Sequence, residues 1–133
     1  MHTKTILTAA DAAIILTACK AEAAKNNWNV SIAVVDEGGY LIHLERGDGA
    51  PLQSPEIARG KAFTAAISRM TTKQLEDIVK ERPGVALMPG RLPIQGGIPI
   101  THEGQCIGGI GVSGVKSHED EVVALAGRAA LLG

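Results

Sequence analysis

Residues 96–114 read Gly-Gly-Ile-Pro-Ile-Thr-His-Glu-Gly-Gln-Cys-Ile-Gly-Gly-Ile-Gly-Val-Ser-Gly, and no other stretch constrains the fold as tightly. Ile98–Thr101 reads as a short strand and Glu103-Gly104 as a tight turn, because glycine accepts the positive φ that such turns need. Cys106–Ser113 reads as the returning strand. Three glycines, Gly108, Gly109 and Gly111, stand inside it. Glycine weakens a strand unless another backbone or a ligand comes close. Strict alternation puts Ile107, Gly109, Gly111 and Ser113 on one face, and Cys106, Gly108, Ile110 and Val112 on the other. The first face is nearly bare. Either a helix packs closely on it or a flat ligand does.

The rest of the chain supplies three helices before this hairpin and one after it. Thr8 to Asn27 reads as a helix, with Thr8 as N-cap, Asp11 near its positive end, and Asn26-Asn27 to close it. Trp28 then anchors that end to a sheet. Val30–Asp36 is apolar on both faces, as a central strand is. Glu37-Gly38-Gly39 turns it into Tyr40–Arg46, where Leu41, His43 and Glu45 share one face and Tyr40, Ile42, Leu44 and Arg46 the other. Ser54-Pro55-Glu56 is a helix start with Ser54 as the cap, and the helix runs to about Arg69. Ala58, Ala62, Ala65 and Ala66 form a small-residue face on it. Lys61 is either a snorkelling surface lysine or an anion-holding residue of a pocket wall. Thr71 and Gln74 form a capping-box pattern for a further helix ending near Arg82. Val85 to Gln95, flanked and interrupted by prolines, reads as an irregular covering loop with Arg91 as its one charge. Ser117 caps a last helix, from His118 to about Leu131, with Glu119, Asp120 and Glu121 in its first turn.

The 133 residues make a single domain, 1–133, of α+β layered type rather than a doubly wound parallel sheet. A net charge of −1 and 2% aromatic residues exclude the electrostatic and stacking surfaces that nucleic acid or an anionic membrane would require. The N-terminus shows no continuous apolar leader and no span-length apolar run occurs, so a cytoplasmic location is expected. Cys19 and Cys106 lack metal-type spacing and read as buried, reduced thiols. Arg46-Gly47-Asp48 spells a cell-adhesion tripeptide, read as coincidence in a chain with no leader. A core of small residues predicts a homo-oligomer that buries additional surface.

Several local patterns together resemble the GlcG/HbpS family. They are 34–41 (Val-Val-Asp-Glu-Gly-Gly-Tyr-Leu), 46–50 (Arg-Gly-Asp-Gly-Ala), 61–66 (Lys-Ala-Phe-Thr-Ala-Ala), 96–100 (Gly-Gly-Ile-Pro-Ile), 107–114 (Ile-Gly-Gly-Ile-Gly-Val-Ser-Gly) and Asp120. The resemblance spans nearly the whole chain. It implies a profilin-like, three-layer α/β/α fold with a mostly antiparallel five-stranded sheet. It also implies homo-oligomers, often octamers, and, in some members, haem or a related tetrapyrrole as ligand. Two departures are visible: Gly47 stands where the family commonly has a larger residue, and the first helix lacks the histidine that ligates haem iron in some relatives.

Haem iron takes a His, Cys, Met or Tyr ligand. His43, on a strand, is the first candidate as axial ligand, and Met88 on the covering loop the second. A pocket is expected from Arg46, Asp48, Lys61, Thr64, Gly96, Gly97, Gly111 and Ser113, whose cations, hydroxyls and exposed amides suit a carboxylate-bearing small molecule. The chain therefore reads as a small-ligand-binding accessory protein. The alternative is a cofactor-independent enzyme acting on a small hydroxy acid or carbonyl compound, with Lys61 or Asp48 as acid/base.

Overall fold

A computed structural model describes residues 1–133. The elements run α1 (Ala9–Lys25), β1 (Ser31–Asp36), β2 (Leu41–Arg46), α2 (Ser54–Ser68), α3 (Thr72–Glu81), a 3₁₀ turn at Pro83–Leu87, β3 (Gly97–His102), β4 (Gln105–Ser113) and α4 (Ser117–Leu132). Every strand pair is antiparallel and the order is β2-β1-β4-β3. The sheet has four strands, not the expected five. Between α3 and β3 the chain carries Pro83, Pro89 and Pro93, which lack the amide donors a further strand would need.

Local chemistry sets the helix ends. Thr8 and Asp11 cap each other at the start of α1, and Thr71 and Gln74 do the same for α3. Asn27 takes a φ of 57° just past α1, and Trp28 packs against the core. Two caps fall elsewhere than expected. Ser54 is the first residue of α2 rather than its cap, and its hydroxyl donates to the Pro51 carbonyl while accepting from Ser31. Lys116, not Ser117, stands at the cap of α4, where the Glu119 carboxylate accepts its backbone N–H.

Two cores flank the sheet. The larger joins Ile15, Leu16 and Cys19 of α1 and Val123 and Ala124 of α4 to Ile32, Val34, Ile98, Ile100, Ile110 and Val112. The smaller is Ala33, Val35, Ala58, Ala62 and Ala66, with Leu44 against it. The bare face of β4 belongs to this second core. A Cβ on Gly111 would strike the Ala58 carbonyl and the Ala62 amide, and one on Gly109 the Ala62 carbonyl. The helix therefore occupies the space that the sequence left open to a ligand, and α2 lies with its backbone against the strand.

Strict alternation fails at one point of β4. Ile100 pairs with Gly108 but Thr101 with Cys106, so Ile107 is an extra, bulged residue. Cys106 consequently lies on the α2 side, its thiol donating to the Ala66 carbonyl, while Ile107 joins the larger core. A matching shift makes Ile42 the extra residue of β2.

Because the Gly111 site is closed by backbone, Gly111→Ala is expected to destabilise the fold by about 3 kcal/mol, at the upper end of overpacking effects. Gly104→Ala, at a turn with nothing near it but a φ of 77°, costs only the left-handed conformation, on the order of 1 kcal/mol. Urea denaturation midpoints of the two variants check the order.

Candidate functional site

The residues proposed from sequence divide into two groups. Lys61, Thr64, Gly96, Gly97, Gly111 and Ser113 are all buried, while Arg46 and Asp48 are exposed at the ends of β2 and its following loop. Lys61 is neither a surface lysine nor an open anion site. It is 2% exposed, and its Nζ donates to Asp120 Oδ2 and to the Val112 carbonyl, both at 3.0 Å. The Val112 amide is taken by the Gly96 carbonyl on the β3 side of β4. Its own carbonyl lies just where β3 begins, and the lysine satisfies it. Asp120 Oδ1 accepts the Val115 N–H, so both carboxylate oxygens are bonded.

The neighbouring glycines make this pair fit. A Cβ on Gly96 would meet the Lys61 ammonium, and one on Gly97 would meet the Lys61 carbonyl and the Thr72 methyl. Thr72 closes the site by bonding the Gly97 amide and carbonyl through its hydroxyl. Thr64 accepts the Leu92 N–H and donates to Gly60, tying the loop to α2. Burial raises the Asp120 carboxyl above its ordinary value, and the charge and hydrogen bond of Lys61 oppose that rise.

Asp48 lies elsewhere, in a groove of about 200 Å³ between α1 and the β1–β2 pair, also lined by Lys20, Trp28, Ile32, Glu45 and Gly47. His43 pairs with Val34 and so faces the α1 side. It stands two residues from Glu45 on the same strand face, about 7 Å along β2. The imidazole is half-buried and makes no hydrogen bond within the chain. Glu45 is held by Lys20 at 2.9 Å. The other soft donors differ. Burial pushes the Cys19 thiol up to about 12, which removes its thiolate, and Met88 is 46% exposed on the covering loop. No three His, Cys, Asp or Glu side chains gather into a metal site. No helix is long and apolar enough to cross a membrane.

A second cleft was not foreseen from the sequence. It holds about 380 Å³ between the β1–β2 turn, α2 and the loop, and is lined by Gly38, Gly39, Tyr40, Glu56, Arg59, Gly60, Phe63 and Gly90. Its residues come from three separate segments, and no local pattern in the sequence marked it.

A family model described as haem degrading protein HbpS-like matches residues 7–129. Protein GlcG of Escherichia coli strain K12 is 43% identical over 114 residues, covering 85% of each chain. The crystal structure of a double mutant of HbpS from Streptomyces reticuli superposes with a TM-score of 0.95 at 37% identity, covering 100% of this chain and 92% of that one. A PduOC:haem complex superposes with a TM-score of 0.87 at 27% identity, covering 95% of both.

Removing one partner of a buried ion pair leaves an uncompensated charge, so Lys61→Met is expected to cost about 3–5 kcal/mol at pH 7. The loss has a definite pH dependence. Without the lysine, the Asp120 carboxyl in the folded state titrates still further above its unfolded value. The folded state then binds more protons than the unfolded one across that window, so the variant's deficit relative to the parent shrinks as pH falls. Denaturation of both proteins at pH 7 and pH 5 checks this. An equal deficit at the two values would contradict the assignment.

Proposed function

This chain belongs to the HbpS-like family, and from that membership we propose that it is a small-ligand-binding accessory protein whose ligand is haem or a related tetrapyrrole. The observation that carries the reading is His43: a half-buried imidazole without a hydrogen-bond partner, on the same face of β2 as Glu45, which lines a mixed groove with Trp28, Val30, Ile32 and Lys20. The donor set fits the group. A neutral imidazole is a usual haem ligand, whereas a thiol held protonated by burial is not.

In this reading His43 is the axial ligand. Lys20, bridged to Glu45, and Asp48 line the groove, and Arg46 projects from the opposite face of the same edge strand. Lys61, Thr64, Gly96, Gly97, Gly111 and Ser113 hold β4 and its neighbours in place. When bound, haem supplies redox and oxygen-binding chemistry. The chain supplies an apolar wall, an imidazole and charge at the groove mouth. The groove, at about 200 Å³, is smaller than the roughly 300–1,000 Å³ of sites that enclose a ligand. A second copy covering the outer face would complete it, which accords with a homo-oligomer, an octamer by the family resemblance. Exposed Leu41, on the same edge strand, is available to that contact. Of the two acid/base groups of the enzyme alternative, Lys61 is enclosed and paired with Asp120, and Asp48 is exposed at the groove.

Titration of the purified protein with haemin, followed by absorbance, is expected to give a Soret shift at micromolar concentration. His43→Ala should weaken binding by about tenfold or more, the equivalent of losing one metal–ligand bond partner, and move the Soret maximum without lowering the melting temperature. No shift in the parent protein, or an unchanged spectrum in the variant, would overturn the reading.

A further inference from the structure

The cleft beside α2 is separate from the His43 groove, and its chemistry is of another kind. Four of its lining residues are glycines, Gly38, Gly39, Gly60 and Gly90, so much of its wall is bare backbone. The Phe63 ring is held between two of them: a Cβ on Gly39 would strike one edge of the ring, and a Cβ on Gly90 would crowd the other. Tyr40, on the adjoining turn, is 75% exposed. Its backbone amide is bonded to the Asp36 carboxylate, which fixes the turn while leaving the phenol ring free. A flat apolar group is what such a slot accommodates, since aromatic faces prefer offset stacking over a second ring.

Two opposite charges stand on the same wall. Glu56 and Arg59 lie one turn apart on α2, both exposed. Neither forms an ion pair or side-chain hydrogen bond, with each other or with any other residue. Arg59 shares its lack of an ion pair with the other arginines of the chain, whereas most lysines have found a carboxylate. An i,i+3 pair of opposite charge left open one to two turns N-terminal to Phe63 on the same stripe of α2 can be closed by a ligand that carries both charges.

We propose that this cleft binds a small zwitterionic aromatic compound, of the free aromatic amino acid class. Its ring lies against Phe63 and Tyr40, its carboxylate meets the Arg59 guanidinium, and its ammonium meets Glu56. The volume of about 380 Å³ suits a molecule of this size. The loop from Pro83 to Gln95, tied to α2 through Leu92 and Thr64, forms the outer wall through Gly90.

Isothermal titration of the full chain with L-phenylalanine, benzoate and phenethylamine tests the assignment. L-Phenylalanine should bind, and the two single-charge probes should each bind about tenfold more weakly, as expected for loss of one charge-assisted bond. Arg59→Gln should remove the preference for L-phenylalanine over phenethylamine, and Glu56→Gln the preference over benzoate. Both residues are exposed, so the variants fold, and Lys25→Gln on α1 should leave the titration unchanged. Binding of the three probes with equal affinity, no binding of any at millimolar concentration, or L-phenylalanine binding unchanged in both α2 variants would each overturn the proposal.

Discussion

The ion pair between Lys61 and Asp120 joins α2 to α4 past the end of the sheet, and the close fit around it constrains the rest of the structure. Lys61 leaves α2 on one side of the sheet, and Asp120 belongs to α4 on the other. They meet beyond the start of β3, and the same ammonium satisfies the Val112 carbonyl there. A buried pair of this kind is a weak source of net stability, because desolvation opposes the Coulombic gain. Its effect is on specificity. In the native packing of α2 the lysine is buried and finds both its partners there. The bare Gly96 and Gly97, and the Thr72 hydroxyl bridging to Gly97, are the conditions under which that pair can form.

Close packing of α2 on β4 follows from the same economy of side chains. Ala58, Ala62 and Ala66 meet Gly109 and Gly111 with backbone against backbone. The glycine face of β4 is filled by the chain itself and leaves no room there for a guest. The open clefts lie at the margins, where the sheet ends and turns leave surface uncovered. Both candidate clefts lie there, one along α1 and β2, the other at the β1–β2 turn. Each is walled partly by an edge strand or a hairpin, and each is shallow in a single chain.

Much of the fold is legible in the chain. The capping pairs Thr8–Asp11 and Thr71–Gln74 and the turns at Gly38-Gly39 and Glu103-Gly104 act through neighbours a few residues away, and the alanine face of α2 shows in its helical spacing. The two bulges were not legible, because an extra residue in one strand is visible only against its partner. For this reason Cys106 and Ile107 exchanged faces relative to strict alternation. The missing fifth strand is a related case, since an expected strand count came from resemblance rather than from a run of residues able to pair.

The candidate site divides along the same line. The sequence by itself determined that β4 must be approached closely, that Lys61 is out of place on an alanine-rich helix, and that His43 sits on a strand. Those are properties of spacing and residue type. Only the tertiary structure decided that a helix rather than a ligand fills the glycine face, that Lys61 reaches Asp120 across 59 positions of chain, and that Glu56, Arg59 and Phe63 face Gly39 and Gly90. The physical reason is that burial and partnership depend on which distant backbones the glycines allow to touch, and nothing local to a residue encodes that.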